Sequence, residues 1–402
     1  MQGIYLMPFS AKSILFYHAW RDRIRIAGFF DEDEGISGMR YDGCVISTPR
    51  PAPEDQRNTM VIICDAGNFE KYQARISNLG YANIFRYGQA LSCEKVKAHL
   101  PHIDEAAFLR IVPGKAEELL DIHFCIYDEI YYSDALRRDD ALAIYTLDIV
   151  VTERCTLRCK YCANLIQYFK NPQDMDLDQV YRDIDLIFAK ADWISKLHLF
   201  GGESFLYKRL AQALDYTAKY KSKFGKLYAI TNGTILPNEE TLDAMKRNQL
   251  HVVISDYNAL SKNLNNLAEK LSAYDIRYIT TNPVWFAGQQ LVDGRGRDAK
   301  EVFNRCTMKC TMLQNGLLYR CPFLAHSARL NAVPYSKHNY IDISKEETQK
   351  IDIKNYLSMP DNPNTVTPPG CAYCSGYEHN MPIVPVAEQA GFPLPYKVYD
   401  AF

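Results

Sequence analysis

The sequence predicts an α/β protein: a small doubly wound sheet, then parallel strands closed wholly or partly into a barrel, then a short cysteine-bearing domain. Three observations point there. Segments of strand period alternate with segments of helical period as far as Thr280, as expected for parallel strands joined by crossover helices. Eight of the 12 cysteines fall in close-spaced groups, all of them beyond Val150. The 402 residues, at roughly 150 per domain, allow two or three cores. With 47% hydrophobic and 23% charged residues the chain is ordinarily globular, which excludes disorder and fibrous repeats. A net charge of -2 offers no pull toward nucleic acid or anionic membrane. The apolar run 141–151 is too short to span a bilayer and contains Asp148, and Lys12 interrupts the first apolar segment. A soluble, cytoplasmic protein is expected, with no nucleic-acid or membrane partner.

Residues 3–7 read as a strand, 11–20 as a helix, and 24–30 as a second strand running into Asp31, Glu32, Asp33 and Glu34. A strand at 61–64, a helix at 70–79 and a strand at 84–87 continue the alternation. Residues 1–92 resemble the Rossmann-like modules of some sugar-modifying enzymes. The turn from Met7 to Lys12 contains no glycine, so side chains would keep a pyrophosphate from the backbone. A docking or substrate-presenting role is expected instead, with the acidic run a solvated strand end. Residues 93–140 form a helical, acidic connector. Within 141–300, strands at 144–151, 197–200, 227–231, 252–255 and 276–280 alternate with helices at 177–191, 208–220, 239–247 and 260–274. Chemistry in such a barrel sits at the strand C-termini.

Cys155, Cys159 and Cys162 lie just beyond the first barrel strand, with Tyr161 before the last of them. Three thiolates leave one iron of a [4Fe-4S] cluster open for a chelating ligand. A structural zinc site is the alternative, although the loop has no fourth ligand nearby. The loop resembles the signature of the radical S-adenosylmethionine superfamily, and three more motifs follow in that family's order. They are Gly201, Gly202 and Glu203 after the second strand, Thr231 and Asn232 after the third, and Ser255, Asp256 and Tyr257 after the fourth. The resemblance implies a TIM-like partial (β/α)6 barrel with S-adenosylmethionine on the open iron. It also implies that Glu203 meets the methionine ammonium, and that Tyr161, Thr231, Asn232, Ser255 and Asp256 contact the rest of the cofactor. The adenine contacts have no evident motif.

Beyond residue 300, Cys306 and Cys321 flank a hairpin that turns at Asn315 and Gly316, and Cys371 and Cys374 follow about fifty residues later. Four thiols can ligate a second cluster fully, or a zinc ion. The arrangement in 301–402 resembles the twitch domain, the shorter relative of the SPASM domain, and implies an auxiliary [4Fe-4S] cluster. Cys310 is a spare ligand, a thiol that moves protons or hydrogen atoms, or a small core residue. Tyr257 is expected at the barrel mouth, Glu378 and His379 are acid–base candidates, and Trp285 and Arg297 are expected to line the pocket. His198 and His251 read as core or strand-end residues. The resemblance further implies a flavodoxin or ferredoxin as reductant. The expected activity is oxidation of a small polar substrate, such as a sugar or sugar nucleotide, with the auxiliary cluster accepting the electron. Peptide maturation, redox-neutral epimerisation or rearrangement, and a non-enzymatic zinc or iron-sulfur scaffold are the alternatives.

Overall fold

The computed structural model describes residues 3–54, 57, 59–65, 68–86, 111, 140–308, 310–358, 360, 362–378 and 381–399. The chain divides into two compact units, Met1–Asp134 and Ala135–Phe402.

In the first unit, β1 (Ile4–Met7) lies parallel between β2 (Ile26–Phe30) and β5 (Met60–Ile63). With β3 (Arg40–Tyr41), β4 (Cys44–Ser47) and β6 (Asn83–Arg86) the sheet has the order β3-β4-β2-β1-β5-β6. Helices α1 (Ala11–Trp20) and α2 (Phe69–Asn78) supply the crossovers. The apolar stretch of α1 forms because Ser10 caps it reciprocally with Ser13 and its Ile14, Leu15 and Phe16 are buried. The acidic run departs from a purely solvated strand end. Asp31 accepts the Phe9 N–H at 2.9 Å, Asp33 caps the next turn, and Glu32 pairs with Arg75 at 3.0 Å. Of the connector 93–140, only Ile111 and Asp140 are among the described residues.

The second unit is built on one sheet, of order β11-β10-β9-β8-β7-β13-β14-β15. Its parallel strands are β7 (Ala143–Thr152), β8 (Trp193–Gly201), β9 (Phe224–Thr231), β10 (His251–Ser255), β11 (Tyr278–Thr281) and β13 (Cys310–Gln314). These six strands make the expected partial barrel, with the sixth on the far side of the first. Helices α3 (Leu177–Lys190), α4 (Leu210–Thr217), α5 (Glu239–Arg247) and α6 (Leu264–Ala273) cover the sheet. Their buried Ile184, Leu214, Leu242 and Leu267 pack with Leu147, Leu197, Ala229 and Ile254 of the strands. Between β11 and β13 lie β12 (Trp285–Phe286) and α7 (Ala299–Arg305).

The hairpin turns where the sequence places it. Asn315 and Gly316 both have positive φ, 54° and 74°, which matches the right-handed twist of β13 and β14 (Leu317–Tyr319). The buried Asp183 of α3 accepts both turn N–H groups, at 2.8 and 2.7 Å. After α8 (Pro322–Arg329), β15 (Ile341–Asp342) pairs with β14, so this segment extends the barrel sheet. Then come α9 (Lys350–Leu357) and β16 (Ile383–Val384), which pairs with β12.

Candidate active site

A cavity of about 310 Å³ opens at the C-terminal ends of β7 to β10. Its wall brings together Cys155, Cys159, Tyr161 and Cys162 with Gly201, Gly202, Thr231, Asn232, Ser255 and Tyr257, residues drawn from four successive strand ends. Leu157 N–H and Asn232 Nδ2 donate to Cys155 Sγ at 3.4 and 3.5 Å. Gln389 Nε2 donates to Cys159 Sγ at 3.3 Å, and backbone N–H groups of Asn164 and Ile166 face Cys162. Burial, reinforced by Cys162, pushes the Cys159 thiol up to about 11, and burial raises Cys155 and Cys162 as well. Such thiols stay protonated until a metal takes the thiolate.

The glycines have a steric reason. A Cβ on Gly201 would fall 2.0 Å from the Thr152 carbonyl oxygen, and one on Gly202 would fall 2.4 Å from that of Arg154 and 2.8 Å from Cys155 Cβ. The β8 turn therefore packs backbone to backbone on the cysteine loop. Glu203 is buried behind the cavity wall and is not among its lining residues. Its carboxylate accepts from Thr231 Oγ1 at 3.0 Å, Asn232 N–H at 2.8 Å and Phe205 N–H at 3.1 Å, and burial raises it to about 7. In this arrangement it ties β8 to β9. Asp256 likewise lies outside the wall, accepting the Asn258 N–H at 2.7 Å.

The second cysteine set is also assembled. Cys306 caps the end of α7, Cys321 begins α8 with the Phe323 and Leu324 N–H groups toward its sulfur, and Cys371 lies within the short helical turn Pro369–Tyr373 that Cys374 caps. Burial and the nearby Cys321 and Cys306 thiols raise Cys371 and Cys374, and burial with Cys306 pushes Cys321 up to about 12. Among the described residues, no three His, Cys, Asp or Glu side chains converge on a single metal ion. Arg320 sits beside Cys321, Cys371 and Cys306 with its guanidinium 4.5 Å from the Phe303 ring centroid, and it donates to the carbonyls of Tyr356 and Ser358.

Other expected residues are placed differently. Arg297 does not line the cavity; it donates to the carbonyls of Ala372 and Cys374 at 2.8 and 2.7 Å, holding the cysteine turn. Glu378 pairs with Arg305 at 3.3 Å, outside the wall, and His379 lies outside the described residues. Cys310 faces Asp148 and Cys321 rather than the cavity, and burial pushes it up to about 12. His198 is a partly buried strand residue, as expected, bonded to Asp148 at 2.7 Å. Trp285 does line the cavity, edge-on to Tyr257 at 5.7 Å, and burial raises the Tyr257 hydroxyl above its usual range. Gln289, Met308 and Tyr377, none of which a motif marks, complete the wall toward Cys306 and Cys374.

Residues 149–274 match the family described as the Radical SAM superfamily. The chain is 27% identical over 138 residues to a GTP 3',8-cyclase of Helicobacter pylori, covering 31% of this chain and 42% of that protein. It is 33% identical over 97 residues to a Methanocaldococcus jannaschii protein that bears the name of a glycyl-radical enzyme activating enzyme, covering 24% of this chain and 36% of that one. The chain thus spans about two fifths of the length of these relatives. It is similar to the solved structure of BtrN in complex with AdoMet and 2-DOIA, with 15% identity, a TM-score of 0.38, and coverage of 62% of this chain and 99% of that one. The cofactors of a radical SAM domain are S-adenosylmethionine and a [4Fe-4S] cluster. The first thiol set, with its N–H donors and glycine cradle, fits them. No helix of the described residues is long and apolar enough to cross a membrane.

Proposed function

We propose that this chain, whose residues 149–274 form a radical SAM domain, is a radical SAM dehydrogenase of a small polar molecule. The observation that carries this reading is one cavity whose wall holds three thiols at its strand-end side and reaches Met308 and Tyr377 beside a second set of four. Cys155, Cys159 and Cys162 would hold a [4Fe-4S] cluster, which when reduced would supply the electron for reductive cleavage of S-adenosylmethionine and hence the radical that takes a substrate hydrogen. The net exchange balances: S-adenosylmethionine and substrate yield methionine, deoxyadenosine, a substrate lacking two hydrogens, and one proton. Cys306, Cys321, Cys371 and Cys374 would hold a fully ligated cluster, which suits electron acceptance. Tyr257, kept neutral by burial, stands in the cavity wall as a hydrogen-bonding group that orients a substrate without adding charge. Val284, Trp285 and Phe286 give the wall an apolar side. A flavodoxin or ferredoxin is the proposed reductant.

Anaerobic reconstitution should load seven to eight irons per chain, about four on each thiol set, and no zinc. Changing Cys155, Cys159 and Cys162 together to Ala should remove about four of them and all cleavage of S-adenosylmethionine. Cleavage by that variant would sink the proposal, and stoichiometric zinc would favour a scaffold.

A further inference from the structure

The side chain of Gln289 is an unexplained polar group of the cavity. The residue is 2% exposed and lines the wall, and neither Nε2 nor Oε1 has a hydrogen-bond partner among the described residues. A buried carboxamide left with an unmet donor and an unmet acceptor is unfavourable, so a molecule in the cavity is the available partner. The Oδ1 atom of Asn164, across the same wall, is also buried and unpaired.

Gln289 is held in place. Its backbone has a φ of 55° and its N–H donates to the Gly376 carbonyl at 2.9 Å. The next residue, Gln290, donates its N–H to Ser375 Oγ at 3.0 Å, and its Oε1 accepts from Gln167 Nε2 at 3.1 Å. Gln167 also donates to the carbonyls of Lys160 and Cys162, both at 3.2 Å. The segment is thereby fastened between the first cysteine loop and the Cys374 loop, so the backbone that carries the carboxamide is fixed. Among the described residues that line the cavity there is no Lys, Arg, His, Asp or Glu. A phosphate or carboxylate of a substrate would be buried there without a compensating charge. The cofactor's amino and carboxylate groups, assigned by resemblance to the open iron, need no such side chain.

We propose that the substrate is an uncharged small ring bearing adjacent hydroxyl or amide groups, which Gln289 reads as donor and acceptor together and Asn164 as acceptor. Its apolar face lies on Trp285 and Tyr257, and phosphorylated substrates are excluded. The inference rests on the radical SAM reading of this cavity. Cleavage of S-adenosylmethionine without substrate tests that reading separately, so the two failures are distinguishable.

The test uses reconstituted holoenzyme with S-adenosylmethionine and two matched pairs of probes: myo-inositol and N-acetylglucosamine, each against its monophosphate. At least one neutral probe should bind about tenfold tighter than its phosphate. Gln289→Leu, of similar volume, should weaken that probe about tenfold or more, with Gln289→Asn recovering part of the loss. Tighter binding of a phosphate, binding by no neutral probe, or undiminished binding in Gln289→Leu would overturn the proposal. An equal weakening of S-adenosylmethionine in that variant would also overturn it, by assigning the carboxamide to adenine. If Gln289→Leu fails to fold, the neutral-against-phosphate comparison on the unaltered protein decides alone.

Discussion

A half-buried guanidinium beside three thiols biases whatever electron acceptor they hold. Arg320 is such a group, stacked on Phe303 and bonded to the carbonyls of Tyr356 and Ser358. Thiolates around a cluster carry net negative charge, and each added electron increases it, so a nearby fixed cation favours the reduced form. Arg320→Met should therefore move the potential of the second cluster to a more negative value in an electron-paramagnetic-resonance titration. A potential that stays or rises would mean that solvent, not Arg320, balances the charge. His326 gives a different residue-scale effect. Both ring nitrogens are buried without a partner among the described residues, and burial, followed by the Arg329 charge, lowers its pKa from 6.5 to about 4. Between those values the unfolded chain binds a proton that the folded protein refuses, so stability is full above about pH 6.5 and falls as pH falls toward 4. Acting alone this costs about 3 kcal/mol by pH 4. His326→Phe should flatten the acid side of a Tm-against-pH curve, and an unchanged slope would assign acid sensitivity to other groups.

At the scale of elements, the cysteine loop is clamped from two sides. The β8 turn presses on it through Gly201 and Gly202, while the segment after β16 bonds it through Lys160 N–H to the Glu388 carbonyl at 2.7 Å and through Gln389 to Cys159. A methyl group on Gly202 must displace either Arg154 or Cys155, at a cost of about 1–3 kcal/mol. Gly202→Ala should thus lower iron content by about four while leaving the second set loaded. Full iron content together with an unchanged Tm would show that the loop yields freely. The β13–β14 hairpin is the counterexample, an element legible in the sequence because Asn315 and Gly316 satisfy a local backbone requirement. Its anchorage on Asp183 was not legible, since the carboxylate lies 132 residues from Asn315 in sequence.

For the whole molecule, the first unit keeps its turn donors for itself: Phe9 N–H goes to Asp31 and Ser13 N–H to Ser10. With these N–H groups engaged and no glycine between Met7 and Lys12, calorimetry of the full chain with NAD, NADP and FAD should be flat. Micromolar binding of any of them would make the unit a nucleotide site. The sequence by itself determined the α/β alternation, the strand ends that carry Cys155, Gly201, Thr231 and Ser255, and the grouping of the thiols. Each of these is written in local periodicity or close spacing, which the chain must express wherever it folds. Only the tertiary structure decided that Glu203 turns inward to Thr231, that Arg297 holds the Cys374 turn, and that Gln389 reaches Cys159 from 230 residues away. It also put β13 beside β7 and left the Gln289 carboxamide unpaired in the cavity. These follow from packing between segments distant in sequence, where many partners are chemically equivalent and only the folded partial barrel selects among them.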